Sequence, residues 1–432
     1  MMFNLKERLH SMAKEKLLTK LNKKTPSFNL VGKAKVSDFT FKIDVESSKE
    51  DSDWVYNQLN LGVDCGKNGT IYADLMGGYG TDRENVVYVH GKTDDGKDDF
   101  KASFTIDWED RQDEEILKSV GDMCFITVGL EKGSDGKVIY KKFISQYDAI
   151  KYIQENIEDG MVVNVKGNLE WSVYEDKVQV KKTITSIALS KAEEKDFKAT
   201  FTQQILLDSE SIGKYDKETN TIPIVGYVVE NIRNSYKGKS LVHNENGKIV
   251  KSMNLPLIKS FDFEVGEDKE QAKKMLKVFK VKGKKITQLT IDGEFTRGEL
   301  NTVEVSEDDI PEDIKELIEL GYVDKDEIVG QIALKNGGKK PERMVVVKPH
   351  ITYVGEDVKM PKVDKVVDVY EEDDINISMI LDSIDAIEIE EDKSKKDDND
   401  SEEISNSDLD KALENDNTKN DTVEEDDWLA DL

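Results

Sequence analysis

Between residues 28 and 190 apolar and polar side chains mostly alternate with a period of two, and runs of Gly, Asn and Asp interrupt the alternation. Period two puts successive side chains on opposite faces of a strand, so the pattern predicts strands over 30–45, 54–63, 70–76, 86–90, 100–108 and 124–130. One helix follows over 145–157, with Ile150, Ile153 and Ile157 on one side and Asp148 near its start. Directly after it comes a glycine-bearing strand, Gly160-Met161-Val162-Val163-Asn164-Val165-Lys166-Gly167, which runs on to Trp171. A turn at Glu175-Asp176 then leads into a closing strand over 178–189.

The end of this arrangement recurs downstream. A helix over 268–279 precedes a strand over 286–295, and a later strand covers 345–354. The two closing strands align residue for residue, apolar at the first, third, seventh and tenth places. Lys181 matches Lys348, and Ile184-Thr185 matches Ile351-Thr352. Gly167 and Gly293 fall at equivalent points of the preceding strand. The copies differ in the loop before the last strand, which is short in the first and spans 304–341 in the second, with a helix-like stretch at 310–321. Duplication of a β-β-β-α-β-β unit accounts for the pattern.

A closed five-stranded barrel with its helix between the third and fourth strands describes an oligonucleotide/oligosaccharide-binding (OB) fold. The Gly160–Gly167 strand followed by Val178-Gln179-Val180 resembles the end of the OB domains of single-stranded DNA-binding proteins. The expected fold is therefore mainly β. It has two tandem OB-fold barrels, at 28–192 and 193–360, with the helical loop 304–341 inserted in the second. The resemblance implies binding of single-stranded DNA without strong sequence preference, in phage-like replication or recombination. OB folds also bind RNA and proteins, so an RNA-binding protein and a non-catalytic interaction or phage structural scaffold are the alternatives.

The two ends of the chain read differently. Over 3–25, Leu5, Leu9, Ala13, Leu17 and Leu21 recur every four residues among seven basic and two acidic side chains, which predicts a basic amphipathic helix in a segment 1–26 ended by Thr25-Pro26. At the other end the balance inverts. From Glu371 to Leu432 there are 25 acidic and 5 basic residues, a net of −20, so the remaining 370 residues carry only −8 of the total −28. A segment so charged and so poor in apolar side chains cannot offset its ordering entropy, and 361–432 is expected to be a disordered tail. Its tip, Asp426-Asp427-Trp428-Leu429-Ala430-Asp431-Leu432, sets an apolar plug behind an acidic leader. This resembles the acidic C-terminal tails of bacterial SSB and, more loosely, of phage helix-destabilising proteins. By that resemblance Asp426, Asp427, Trp428, Leu429 and Leu432 would engage replication or recombination proteins. The bacterial tails usually end in Pro-Phe, a departure at Asp431-Leu432.

OB grooves hold single strands by stacking bases on aromatic rings while Lys and Arg follow the phosphates. The candidate DNA-binding residues of the first barrel are Trp54, Tyr56, Tyr72, Lys166, Trp171, Tyr174 and Lys181, with Trp171 and Tyr174 favoured because they lead into the loop joining strands four and five. Those of the second are Arg233, Tyr236, Lys237, Phe295 and Arg297. Lys277, Lys280 and Lys284 join them from a run over 271–285 with seven lysines and no acid.

Other chemistries fail on spacing. Gly91-Lys92-Thr93 and Gly238-Lys239-Ser240 end like phosphate-binding loops, but Val86 and Arg233 stand where the first glycine is required. Cys65 and Cys124 are the only cysteines, and His10, His90, His243 and His350 are scattered, so neither a zinc site nor a disulfide scaffold is expected. No catalytic role, cofactor or metal is expected. The charged start and the absence of a long apolar run point to a cytosolic protein outside the membrane (host cytoplasm, if phage-encoded).

Overall fold

The computed structural model describes residues 21–174, 177–245, 248–297, 342–355 and 359–384, together with Ile310 and Lys315. The fold is mainly β. In chain order come β1 (Ser27–Lys35), β2 (Phe41–Glu46), β3 (Trp54–Asp64), β4 (Thr70–Gly80), β5 (Val86–Lys92), β6 (Asp98–Asp107), α1 (Glu114–Leu117), β7 (Ile126–Lys132), β8 (Val138–Phe143) and α2 (Gln146–Asn156). Then follow β9 (Val162–Tyr174), β10 (Lys177–Leu189), β11 (Lys198–Leu207) and β12 (Thr221–Arg233). Two short hairpins, β13 (Ser235–Tyr236) with β14 (Lys239–Ser240) and β15 (His243–Glu245) with β16 (Lys248–Val250), lead to β17 (Ser252–Glu264) and α3 (Lys269–Phe279). The chain continues with β18 (Lys285–Thr296), β19 (Arg343–Pro349), β20 (Ile351–Val354), β21 (Met360–Val363), β22 (Lys365–Glu371) and α4 (Ile377–Asp382).

Five strands close on themselves. β1 pairs antiparallel with β3, β3 with β4, β10 with β9 and β9 with β1, while β4 meets β10 in parallel at Asp74 and Thr183. Numbered along the chain, the ring runs 1-2-3-5-4-1, with α2 between the third and fourth strands, so a closed five-stranded barrel of OB type is present. The alternation that predicted the strands is the alternation of burial: on β9, Val163, Val165, Leu169 and Trp171 face in. Ala149, Ile150 and Ile153 of α2 are buried in the same core.

The same cyclic order of pairing recurs in β11, β12, β17, β19 and β18, again with a parallel contact between third and fifth strands and with α3 between third and fourth. Ala272, Leu276 and Phe279 are the buried side of that helix. The two rings join through β1 and β11, which pair antiparallel from Ser27–Thr202 to Val31–Lys198. Gly167 pairs with Phe28, and Gly293 pairs with Phe201. A Cβ at either glycine would run into that ring and into a neighbouring strand's carbonyl.

Several expectations need correction. The predicted strand 30–45 is two strands with a turn between them, Thr40 donating its N–H to Ser37. The alignment of the closing strands is five residues out: Ile184 lies opposite Gly167, but Val346 lies opposite Gly293. Ile351 and Thr352 belong instead to β20, which pairs with β21. Alternation alone fits a strand in more than one register, and the break at His350 leaves no mark on the apolar pattern. The second unit also extends past 360, because β22 pairs with β18 and Tyr370, Ile375 and Ile380 are buried. The average acidity of 361–432 hides these apolar anchors. Residues 21–26 are not helical. Leu21 is buried, its carbonyl accepts from Asn254 Nδ2 at 2.7 Å, and Lys24 pairs with Asp364 at 2.8 Å. The helix expected over 1–20, the loop 304–341 apart from Ile310 and Lys315, and the tail beyond residue 384 lie outside the described residues. No described helix is long and apolar enough to cross a membrane.

Candidate nucleic-acid interface

The outer face of the second and third barrel strands, with the loops joining strands one to two and four to five, is where an OB barrel takes its ligand. On β4, Ile71, Ala73 and Leu75 are buried, which turns Tyr72, Asp74 and Met76 outward beside Gln58, Asn60 and Gly62 of β3. Gly62 sits opposite Tyr72, and a Cβ there would stand 3.1 Å from the Tyr72 ring, so the ring lies across bare backbone. Tyr72 is 43% exposed, and the Arg297 guanidinium stands 5.3 Å from its centre. Arg297 comes from the end of β18, in the second unit. It is held by its own N–H, which donates to Asn68 O at 2.9 Å, while Asn68 Nδ2 donates to Phe295 O at 3.0 Å.

Lys35 and Lys181 flank this face, paired with Asp64 at 3.6 Å and Asp74 at 3.4 Å. Burial pushes the Asp74 carboxyl above the usual carboxylate range, against the opposing pull of Lys181. Raised folded-state affinity for a proton means that the ionised form of Asp74 weighs against stability above the ordinary carboxylate range, a weight relieved as pH falls. A cation-lined face thus carries one poorly tolerated anion.

Two further rings complete the arrangement. Phe39, at the tip of the loop joining β1 to β2, is 90% exposed, and Tyr174, at the end of β9 where the hairpin to β10 begins, is 38% exposed. Sequence reasoning missed Phe39, although a Phe inside the turn Ser37-Asp38-Phe39-Thr40 has no strand face to serve. It also missed Tyr88, Phe100, Tyr140 and Tyr353, all exposed. Tyr140 had a local signal: it packs over Gly129, where a Cβ would be 2.7 Å from the ring.

The other expected residues divide sharply. Tyr56, Trp171, Tyr236 and Phe295 are buried, which corrects their assignment to a ligand-facing surface. Trp171 Nε1 donates to Gln203 Oε1 at 2.9 Å and its ring meets Phe261 edge-on at 6.4 Å, so it pins β9 to the second unit. Phe295 packs on Phe201 at 5.0 Å, with Lys182 Nζ 4.7 Å from its ring centre. Period two explains both, since Trp171 shares a face with Val163, Val165 and Leu169, and Phe295 with Leu289 and Ile291. Trp54 is half-buried with Arg83 6.0 Å from its ring. Lys166, Lys181, Arg233, Lys237, Lys277, Lys280 and Lys284 are all exposed, the last three forming a basic ridge along α3 and the turn after it.

The equivalent face of the second unit is different. Tyr227 and Ile258 pair across β12 and β17, and they share a cleft with Glu372, Ile375, Ile377 and Ser378. Asp382 of α4 pairs with Lys239 at 2.9 Å. Tyr227 donates to Asp208 Oδ2 at 3.2 Å, and burial with the nearby carboxylate pushes its hydroxyl up to about 12. The chain's own acidic segment therefore lies against this face. Its helix α4 also reaches the β9–β10 end of the first barrel, where Ile377, Ser378 and Leu381 share a second cleft with Val173 and Val178, while neither cleft is lined by Tyr72, Tyr174 or Lys181.

A family model described as YorF matches residues 88–287, from β5 to the start of β18. No curated protein matches. Among solved structures, the wild-type single-stranded DNA binding protein from Thermus aquaticus is similar with a TM-score of 0.27 and 9% identity, over 64% of this chain and 87% of that one. A deletion mutant of the same Thermus aquaticus protein gives a TM-score of 0.26 and 10% identity, with the same shares covered.

Proposed function

We propose that the protein binds single-stranded DNA across the outer face of its first barrel, without strong sequence preference, in replication or recombination of a phage-like element. The observation that carries this reading is the coincidence of Phe39, Tyr72 and Tyr174: three exposed rings, one at each of the positions through which OB barrels hold a strand. Lys35, Lys181 and Arg297 supply cations around Tyr72, Lys166 is a further exposed cation on β9, and sequence-tolerant stacking needs nothing more. The chain is then a duplicated pair of OB units with unequal work. The first carries the strand, and the second contributes Arg297, the lysine ridge of α3 and a face already taken by α4. The acidic tail beyond residue 384 recruits partners through Trp428, Leu429 and Leu432, behind Asp426 and Asp427.

A salt titration tests the reading. Full-length protein should bind oligo(dT), with log affinity falling against log salt at about −0.7 per phosphate contacted, for a slope of a few units. A chain ending at residue 384 should bind more tightly at low salt, since a net of −20 over 371–432 is mostly removed. Absence of affinity at low salt would overturn the reading and favour the scaffold alternative, to which the mildly acidic body lends support. Preference for oligo(U) over oligo(dT) would favour RNA.

A further inference from the structure

The insertion between β4 and α2 has a small core of its own, built from Val89, Ile106, Val120, Phe125 and Ile144. At its edge three side chains far apart in sequence meet: His90 from β5, Asp98 from the start of β6 and Cys124 from the turn before β7. Cys124 Sγ lies 3.2 Å from His90 Nδ1 and accepts the His90 backbone N–H at 3.4 Å. The other ring nitrogen, Nε2, stands 2.6 Å from Asp98 Oδ1. That oxygen also accepts the Met123 N–H at 2.9 Å. The Met123 amide first, and then the His90 ring, hold the Asp98 carboxyl below the usual carboxylate range.

The surroundings fix this chain of contacts. Gly121 donates its N–H to His90 O at 2.7 Å, and any Cβ at Gly121 would run into the imidazole and the Asp98 carboxylate. Phe100 closes the other side, its ring 4.6 Å from the imidazole. Lys92 and Lys142 stand nearby, both paired with Asp122. Thiol, imidazole and carboxylate in this order are the parts of an activated nucleophile: a base against the sulfur, and an anion orienting the base. Among the described residues no group of His, Cys, Asp and Glu side chains, this trio included, is arranged so that it could hold a metal ion.

We propose that Cys124 is a covalent modification site, a thiol that exchanges with small disulfides to give a mixed disulfide on the insertion. His90 Nδ1 takes the thiol proton, with Asp98 holding Nε2–H. The Cys124 sulfur then attacks one sulfur of the small disulfide. A new S–S bond forms, the old one breaks, and the departing thiolate takes the proton back from Nδ1. Electrons balance, because one disulfide and one thiol become another disulfide and another thiol. His90 acts as the general base and then the general acid, and Asp98 is a positioning residue.

The chain carries its own internal control. Cys65 is fully buried and burial pushes its thiol up to about 12, so it should stay silent in the folded protein. The test is the reaction of native full-length protein with 5,5′-dithiobis(2-nitrobenzoate), itself a small aromatic disulfide, followed by absorbance. One thiol per chain should react, and Cys124→Ser should abolish it. His90→Asn should slow the reaction by about tenfold or more, on the scale of general-base catalysis. Asp98→Asn should slow it less, and Asp98→Glu should restore it, as a merely structural role would not. Should His90→Asn fail to fold, wild type still decides: Cys124 must react faster in the folded chain than in urea-unfolded chain, despite its partial burial. No reacting thiol in the native protein, or a Cys124 rate unchanged by His90→Asn, would overturn the proposal. None of these readouts depends on nucleic acid.

Discussion

Tyr72→Ala should weaken oligo(dT) binding by roughly 5- to 150-fold, the equivalent of about 1–3 kcal/mol for one stacked base. The ring is exposed and rests on Gly62 backbone, so its loss removes little buried surface, and stability should change by no more than about 0.5 kcal/mol. Arg297→Ala should weaken binding in the same direction, because the guanidinium both faces the ring at 5.3 Å and offers a phosphate partner. It should also lower the salt slope by roughly 0.7, which Tyr72→Ala should not do. Equilibrium titration at two salt concentrations separates the two effects. Unaltered affinity in both variants would remove the seam between β4 and β18 from the binding surface.

The second large effect is on stability. Trp171→Ala should destabilise the fold by about 3–5 kcal/mol, the usual cost of truncating a buried Trp. The indole fills space against Phe261, and its removal strands Gln203 Oε1, which is buried with it. The backbone N–H of Trp171 still donates to Glu230 Oε2 at 3.1 Å, so the strand itself keeps its anchor. Urea unfolding monitored by circular dichroism gives the loss. Oligo(dT) affinity per folded molecule should stay near that of wild type. A variant of native stability with lost DNA affinity would return Trp171 to the groove.

These two residues mark where the sequence is legible and where it is not. Trp171 and Phe295 could have been assigned inward, since each lies on the apolar side of a period-two strand. For Trp171, nearness to the strand four–five loop points to the groove and parity to the core, and burial follows parity. The helices at 146–156 and 269–279 were plain, because each has an apolar stripe and an acidic residue near its start. The five-residue error in the closing strand has a different origin: apolar alternation is nearly self-similar, and the pairing of Val346 with Gly293 is what fixes the register. Helix α4 lies in a stretch, Ile375 to Ile389, whose amphipathic pattern reads as a short helix or strand inside the acidic segment; its packing against the second unit is what average charge conceals.

Unlike these, the contacts between units have no local signature. Arg297 reaches Tyr72 only because β1 and β11 pair and bring the end of β18 beside β4. The trio of His90, Asp98 and Cys124 likewise depends on the fold of the insertion, since 34 residues separate the imidazole from the sulfur it touches. Non-equivalence of the two rings of paired strands follows from the same kind of fact, because the segment lying against Tyr227 and Ile258 comes from more than a hundred residues further along the chain.

The most direct measurement is photocross-linking of oligo(dT) to the full-length protein, with the attached peptides identified by mass spectrometry. The account predicts adducts at Phe39, Tyr72 and Tyr174, and few on Tyr227, whose face the C-terminal segment covers. Adducts confined to Tyr227 or to the insertion's Tyr88, with the first barrel's three rings untouched, would contradict it.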